Sequence, residues 1–209
     1  MNSSQKTIGV LALQGDFDAH RTLLETRLDT RTREVRTPAD LKDVDGLILP
    51  GGESTTIVKL MQRFGLYEAI RERAAEGLPM YGTCAGMILL AHEIYERPEQ
   101  PSLDLMKITV ARNAFGRQVE SFESDIPFSP LQKSGKTVSE TGNDKKEGTV
   151  RGVFIRAPYV REAAPEVEIL GHFQDKIVAV KQGNLLATAF HPELTDDPRV
   201  HAYFLEMIP

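Results

Sequence analysis

A single cysteine, Cys84, stands in 209 residues, so the chain has no internal disulfide, and it suits a reducing compartment. No apolar run approaches membrane-spanning length. The N-terminal run Ile8-Gly9-Val10-Leu11-Ala12-Leu13 is too short for a signal peptide and passes into a polar turn, so a cytoplasmic location is expected. No basic tract stands out, and the net charge is −5, which argues against a nucleic-acid surface. There is no internal repeat and no Cys/His cluster with metal-ligand spacing. What remains is 41% hydrophobic and 26% charged, enough for a substantial core in one domain, 1–209.

Strand-like and helix-like runs alternate through the first half. Thr7–Gln14, Arg33–Arg36, Gly46–Pro50 and the run before Cys84 read as strands. Phe17–Leu28, the stretch after the break Gly51–Thr56 through Phe64, and Leu66–Ala75 read as helices. Thr37-Pro38-Ala39-Asp40-Leu41 has the form of a capped helical turn. Alternation of this kind gives an open, mostly parallel sheet with helices on both faces, a three-layer α/β fold. After Tyr95 the pattern changes. Met106–Ala111, Arg117–Phe122, Thr149–Ile155, Val167–Phe173, Ile177–Lys181 and Leu185–Phe190 read as added strands, some joined by short turns. Asp125–Gly148, rich in Ser, Lys and Gly, reads as a long surface loop. A short terminal helix is expected near Pro198–Met207.

Cys84 lies where an apolar run meets a helix-like run, Ala85–Glu93, with Gly82 before it and Gly86 after. That is the layout of a nucleophile elbow, with Cys in place of Ser. Side chains at the two glycines would collide with a neighbouring strand or helix. A lone cysteine is otherwise a small buried hydrophobe, so the reading needs a base elsewhere. Of the five histidines, His92 is carried away from Cys84 by helical spacing, and His20 and His201 are expected on surface helices. His172 lies inside a strand. His191 ends the last strand and precedes Pro192, which biases it to extended backbone. Glu193 then projects to the same side and can reach one ring nitrogen while the other faces the nucleophile. The Gly51-Gly52-Glu53 turn follows a buried parallel strand and is expected at the carboxyl edge of the sheet, where such folds bind ligands. Its glycine amides and the amide of Ala85 could donate to an oxyanion. Ser54 could cap the helix that follows.

These segments, with Arg112-Asn113-Ala114-Phe115-Gly116-Arg117-Gln118 and Phe154-Ile155-Arg156-Ala157-Pro158, resemble class I (triad-type) glutamine amidotransferases, and most closely the glutaminase subunits of pyridoxal phosphate synthase. The resemblance runs from Ile8 to Thr195. It departs where Met87-Ile88 follows the elbow in place of a polar residue, and where Phe128–Gly148 exceeds the family's length. It implies hydrolysis of L-glutamine to glutamate and ammonia by Cys84, His191 and Glu193, with Gly52 and Ala85 as oxyanion donors. It implies a glutamine site of Gly52, Glu53, Ser54, Arg112, Ile155 and Arg156. Either Arg112 or Arg156 could take the α-carboxylate. No metal or organic cofactor is implied. A (β/α)₈-barrel synthase is the implied partner, and Gln14-Gly15 is expected to help form that contact. The alternatives are a glutaminase serving another ammonia-channelling synthase, a different elbow-cysteine amidase or peptidase, or a non-enzymatic module on the same fold. The distant His191 and the complete triad speak against the last two.

Overall fold

The computed structural model describes residues 5–112, 121–134 and 148–209. Near-continuous apolar runs form the central strands β1 (Thr7–Leu11), β3 (Gly46–Leu49), β4 (Met80–Thr83) and β12 (Leu185–Thr188), and the mostly polar β2 (Arg31–Val35) is the edge strand beside β1. β3, β4 and β12 are buried along their whole length, as parallel strands covered on both faces must be. These five pair in parallel in the order β2-β1-β3-β4-β12. The sheet then continues through β11 (Lys176–Gln182), β9 (Tyr159–Ala163), β6 (Met106–Ala111) and β5 (Ala91–Ile94), with β10 (Glu168–Phe173) beside β11. The pairings from β12 to β6 are antiparallel, and β5 returns parallel to β6. A separate hairpin joins β7 (Ser121–Pro127) to β8 (Thr149–Ile155).

Helices cover both faces. Tyr81 points towards α1 (Phe17–Arg27) and α6 (Arg199–Glu206), where its ring packs against His20, His201 and Phe204. Its neighbour Gly82 points the other way and backs onto α4 (Ala85–Leu90). α2 (Ser54–Arg63) lays Ile57, Val58 and Met61 into the core at helical spacing, and α3 (Leu66–Ala75) packs beside it. The turn Pro38–Leu41 carries the capping box that Thr37 and Asp40 encode.

Three expectations are corrected. The helix after the elbow ends at Leu90, and Ala91–Ile94 is strand β5 at the edge of the sheet. From Met87 to Ile94 the sequence holds no glycine or proline, so composition gives no sign of the switch. Strand β9 follows Pro158 in a sequence of mixed polarity and was not anticipated. Asp125–Gly148 is not one loop: it begins as the end of β7 and continues as helix α5 (Ser129–Ser134). Residues 135–147 lie outside the described residues, as do Asn113–Gln118 and most of the expected Arg117–Phe122 strand.

Candidate active site

Cys84 sits between β4 and α4 with φ 48° and ψ −102°, a left-handed backbone that L-residues rarely adopt. Its amide donates to the carbonyl of Thr188 on β12 at 2.8 Å, which pins the turn to the next strand. The flanking glycines are obligatory by packing. A Cβ on Gly86 would lie 2.0 Å from the Leu49 carbonyl oxygen, and one on Gly82 would lie 2.5 Å from the backbone of Gly86. The Cys84 side chain is buried, with Sγ 3.9 Å from the carbonyl oxygen of Ile155 on β8. The amide of Ala85 opens α4, where a helix has no acceptor of its own to offer.

His191 follows β12, and its amide donates to Val153 of β8 at 2.8 Å. Pro192–Leu194 form a tight 3₁₀ turn in place of the expected extended chain. The pairing still forms, because the turn brings Glu193 Oε1 to 2.7 Å from His191 Nδ1. Both side chains are buried. Burial works against a charged His191 ring, but hydrogen bonds with Cys84 and Glu193 outweigh it and push the pKa up to about 10. Burial alone would raise the Glu193 carboxyl. His20 and the His191 hydrogen bond instead hold it well below the ordinary carboxylate range. Cys84, His191 and Glu193 therefore stand in one buried line.

The Gly51-Gly52 turn lies directly against this line. A Cβ on Gly51 would come within 2.3 Å of His191 Cε1, so the turn backbone and the imidazole are in contact. Gln14 Oε1 accepts from the amide of Glu53 at 2.8 Å, and the amide of Asp16 reaches the Gly51 carbonyl at 3.3 Å. The β1 loop thus grips the turn from behind.

Glu53, Ser54 and Arg112 form one network. Arg112 Nη2 lies 3.1 Å from Glu53 Oε1, and Arg112 Nη1 donates to Gln100 Oε1 at 2.7 Å. Gln100 Nε2 then donates to the buried Ser54 hydroxyl at 3.0 Å. Ser54 does not cap α2, whose N-cap is Glu53. Ile155 ends β8 and Arg156 follows it; both are exposed, and Arg156 has φ 44°. Two participants escaped the sequence reading. Gln100 lies in a Pro-rich connection with no pattern to mark it. His20, expected on a surface, is fully buried, 3.3 Å from Glu193 Oε1. His201 is also fully buried.

The model of the SNO glutamine amidotransferase family matches residues 10–209. The chain belongs to that family. Among SNO-family relatives, a Carboxydothermus hydrogenoformans protein named pyridoxal 5'-phosphate synthase subunit PdxT is 52% identical over 201 residues, covering 96% of this chain and 97% of its own. A Kineococcus radiotolerans protein of the same name is 50% identical over 214 residues, covering 100% and 97%. A solved structure described as a glutamine amidotransferase superposes with TM-score 0.85 at 48% identity, covering 96% of this chain and 98% of that one. The expected three-layer α/β architecture is therefore that of a glutamine amidotransferase. Among the described residues, no helix is long and apolar enough to cross a membrane.

Proposed function

We propose that this SNO-family chain is the glutaminase subunit of a pyridoxal phosphate synthase, a single cytoplasmic domain working by a Cys84-His191-Glu193 triad. The observation that carries the triad is the buried His191–Glu193 pair at 2.7 Å, with Cys84 close enough to help raise the His191 pKa. The raised His191 pKa favours a thiolate–imidazolium pair, and thiolate is the nucleophile.

In this reading the Cys84 thiolate attacks the side-chain carboxamide carbon of glutamine. The amides of Gly52 and Ala85 receive the oxyanion, each such donor being worth ~10²–10³ in rate. The His191 ring gives its proton to the nitrogen as the carbon–nitrogen bond breaks, which releases ammonia and leaves a thioester. Water attacks next, with His191 taking its proton; the carbon–sulfur bond breaks and glutamate leaves. Glu193 holds the imidazole tautomer and stabilises its cation.

Gly52, Glu53, Ser54, Arg112, Ile155 and Arg156 are assigned to the glutamine site. Arg112 is tied to Glu53 and Gln100, whereas Arg156 stands exposed at the end of β8. Ammonia passes to a (β/α)₈-barrel synthase subunit docked over the Gly51-Gly52 turn. Gln14, which holds that turn at Glu53, is the link through which docking acts.

The test is ammonia release from glutamine, with and without a barrel synthase, for wild type and Cys84→Ala. Release should require the synthase and vanish in the variant. A Cys84→Ala protein as active as wild type would overturn the mechanism.

A further inference from the structure

Behind Glu193 the structure holds two histidines that the three-residue mechanism leaves idle. His20 on α1 and His201 on α6 are both fully inaccessible to solvent. His20 Nε2 lies 3.3 Å from Glu193 Oε1 and 3.1 Å from the hydroxyl of Thr83, the residue before the nucleophile. His20 Nδ1 lies 2.9 Å from His201 Nε2. Among the described residues, His201 Nδ1 is buried with no hydrogen-bond partner, and so is Glu193 Oε2. Glu193 Oε1 thus stands within reach of both imidazoles, His191 at 2.7 Å and His20 at 3.3 Å.

The unpaired His201 Nδ1 decides where the protons sit. A bare lone pair costs less in an apolar site than a bare N–H next to nothing, because the N–H forfeits a stronger hydrogen bond to water. The His201 proton therefore lies on Nε2 and donates to His20 Nδ1. That leaves the His20 proton on Nε2, hydrogen-bonded to Thr83 Oγ1 at 3.1 Å and with Glu193 Oε1 at 3.3 Å. Burial, and then His20 itself, lower the His201 pKa to about 3, in keeping with a neutral ring there.

We propose that His20 is a positioning residue of the triad: its Nε2–H holds the Glu193 carboxylate oxygen that orients His191, and His201 fixes the His20 ring. This rests on the triad reading above. A carboxylate held by one donor can swing about its χ angles; a second N–H beside the same oxygen, fixed by Thr83 and His201, narrows where that oxygen can sit against His191. The ionisable groups acting on this cluster are Tyr81 on β4, His191, His201, and Asp197 ahead of α6, which acts on His201.

The experiment uses the protein with its barrel synthase. Wild type and Cys84→Ala are measured first, so that a wild type releasing no ammonia marks failure of the functional reading and leaves the His20 question to spectroscopy. His20→Leu should lower kcat on the order of tenfold or more with KM for glutamine unchanged, the loss of one hydrogen bond to a charged group. Its acid limb of kcat should move to higher pH, since Glu193 loses a donor. His20→Gln, whose amide nitrogen can reach the place of Nε2, should recover most of the rate and the wild-type pH limb. A His20→Leu enzyme with wild-type kcat and pH limb overturns the proposal, as does a folded His20→Gln no better than His20→Leu. If His20→Leu does not fold, ¹⁵N spectra of the wild-type imidazoles decide. A proton on His20 Nε2 supports the assignment, and a bare Nε2 facing Glu193 sinks it.

Discussion

At the scale of single residues, the site depends on groups with no room to change. Gly51 is the sharpest case. Its missing side chain is what lets the turn touch the His191 ring, at a point 2.3 Å from where a Cβ would stand. Gly51→Ala must push the ring off Glu193 or push the turn off the ring. Either displacement should cost roughly a hundredfold in kcat, the usual scale for a catalytic group misplaced by about an ångström. Circular dichroism should show a folded protein. A Gly51→Ala enzyme with wild-type glutaminase activity would show that the ring is not held by this contact. The strained Cys84 backbone belongs to the same scale: it is kept by the Thr188 hydrogen bond and by glycines that admit Leu49 and Gly86 backbone at close range.

At the scale of elements, the site is a meeting of strand ends and connections. The β7–β8 hairpin is outside the main sheet, yet it carries Ile155 and Arg156 to the cysteine. It is anchored by Phe154, which stacks on Phe122 and packs against Phe173 and Phe190 beside His191. The segment between β5 and β6 is tied to α2 through one side chain, Gln100, which bridges Ser54 and Arg112. Gln100→Leu removes both bridges. The buried Ser54 hydroxyl then loses its donor, and Arg112 loses the partner that splits its charge from Glu53. KM for glutamine should rise about 5–20-fold, equivalent to ~1–2 kcal/mol for the lost hydrogen bonds, with kcat changed far less. Steady-state kinetics with the synthase present would check it, and an unchanged KM would remove Arg112 and Ser54 from the glutamine site.

At the scale of the whole molecule, the buried line from His201 to Cys84 links folding to pH. His191 has its folded pKa raised from 6.5 to about 10. Its contribution is fully present below pH 6.5 and is lost as pH rises through about 10. His201 runs the other way, lowered from 6.5 to about 3, so its contribution is present above 6.5 and fades as pH falls towards 3. Glu193, held below its ordinary value of 4.5, adds stability that is lost on further acidification. Stability should therefore peak near neutrality and fall on both sides. Urea midpoints at about pH 5, 7 and 9.5 would measure this. Cys84→Ala takes away one of the groups that raise His191, so the decline between pH 7 and 9.5 should be shallower in that variant.

The sequence by itself determined the parallel half of the sheet, the turn at Cys84 and the pairing of His191 with Glu193. Those are carried by local signals: unbroken apolar runs, glycines at fixed offsets from Cys84, and a His-Pro-Glu placed at a strand end. Glu193 pairs with His191 even though the chain turns where extended backbone was expected, because the pairing needs only two residues' separation. Beyond that, tertiary structure decided. Strand β5 exists because β6 offers it an edge, and nothing between Leu90 and Ala91 announces the change. Gln100 is joined to Ser54 across 46 positions, and His20 to His201 across 181. Hydrogen bonds between groups so far apart depend on how the layers stack over Tyr81 and Thr83. An amphipathic helix such as α1 carries His20 inward or outward according to what packs on it, which in this protein is the back of the triad and not solvent.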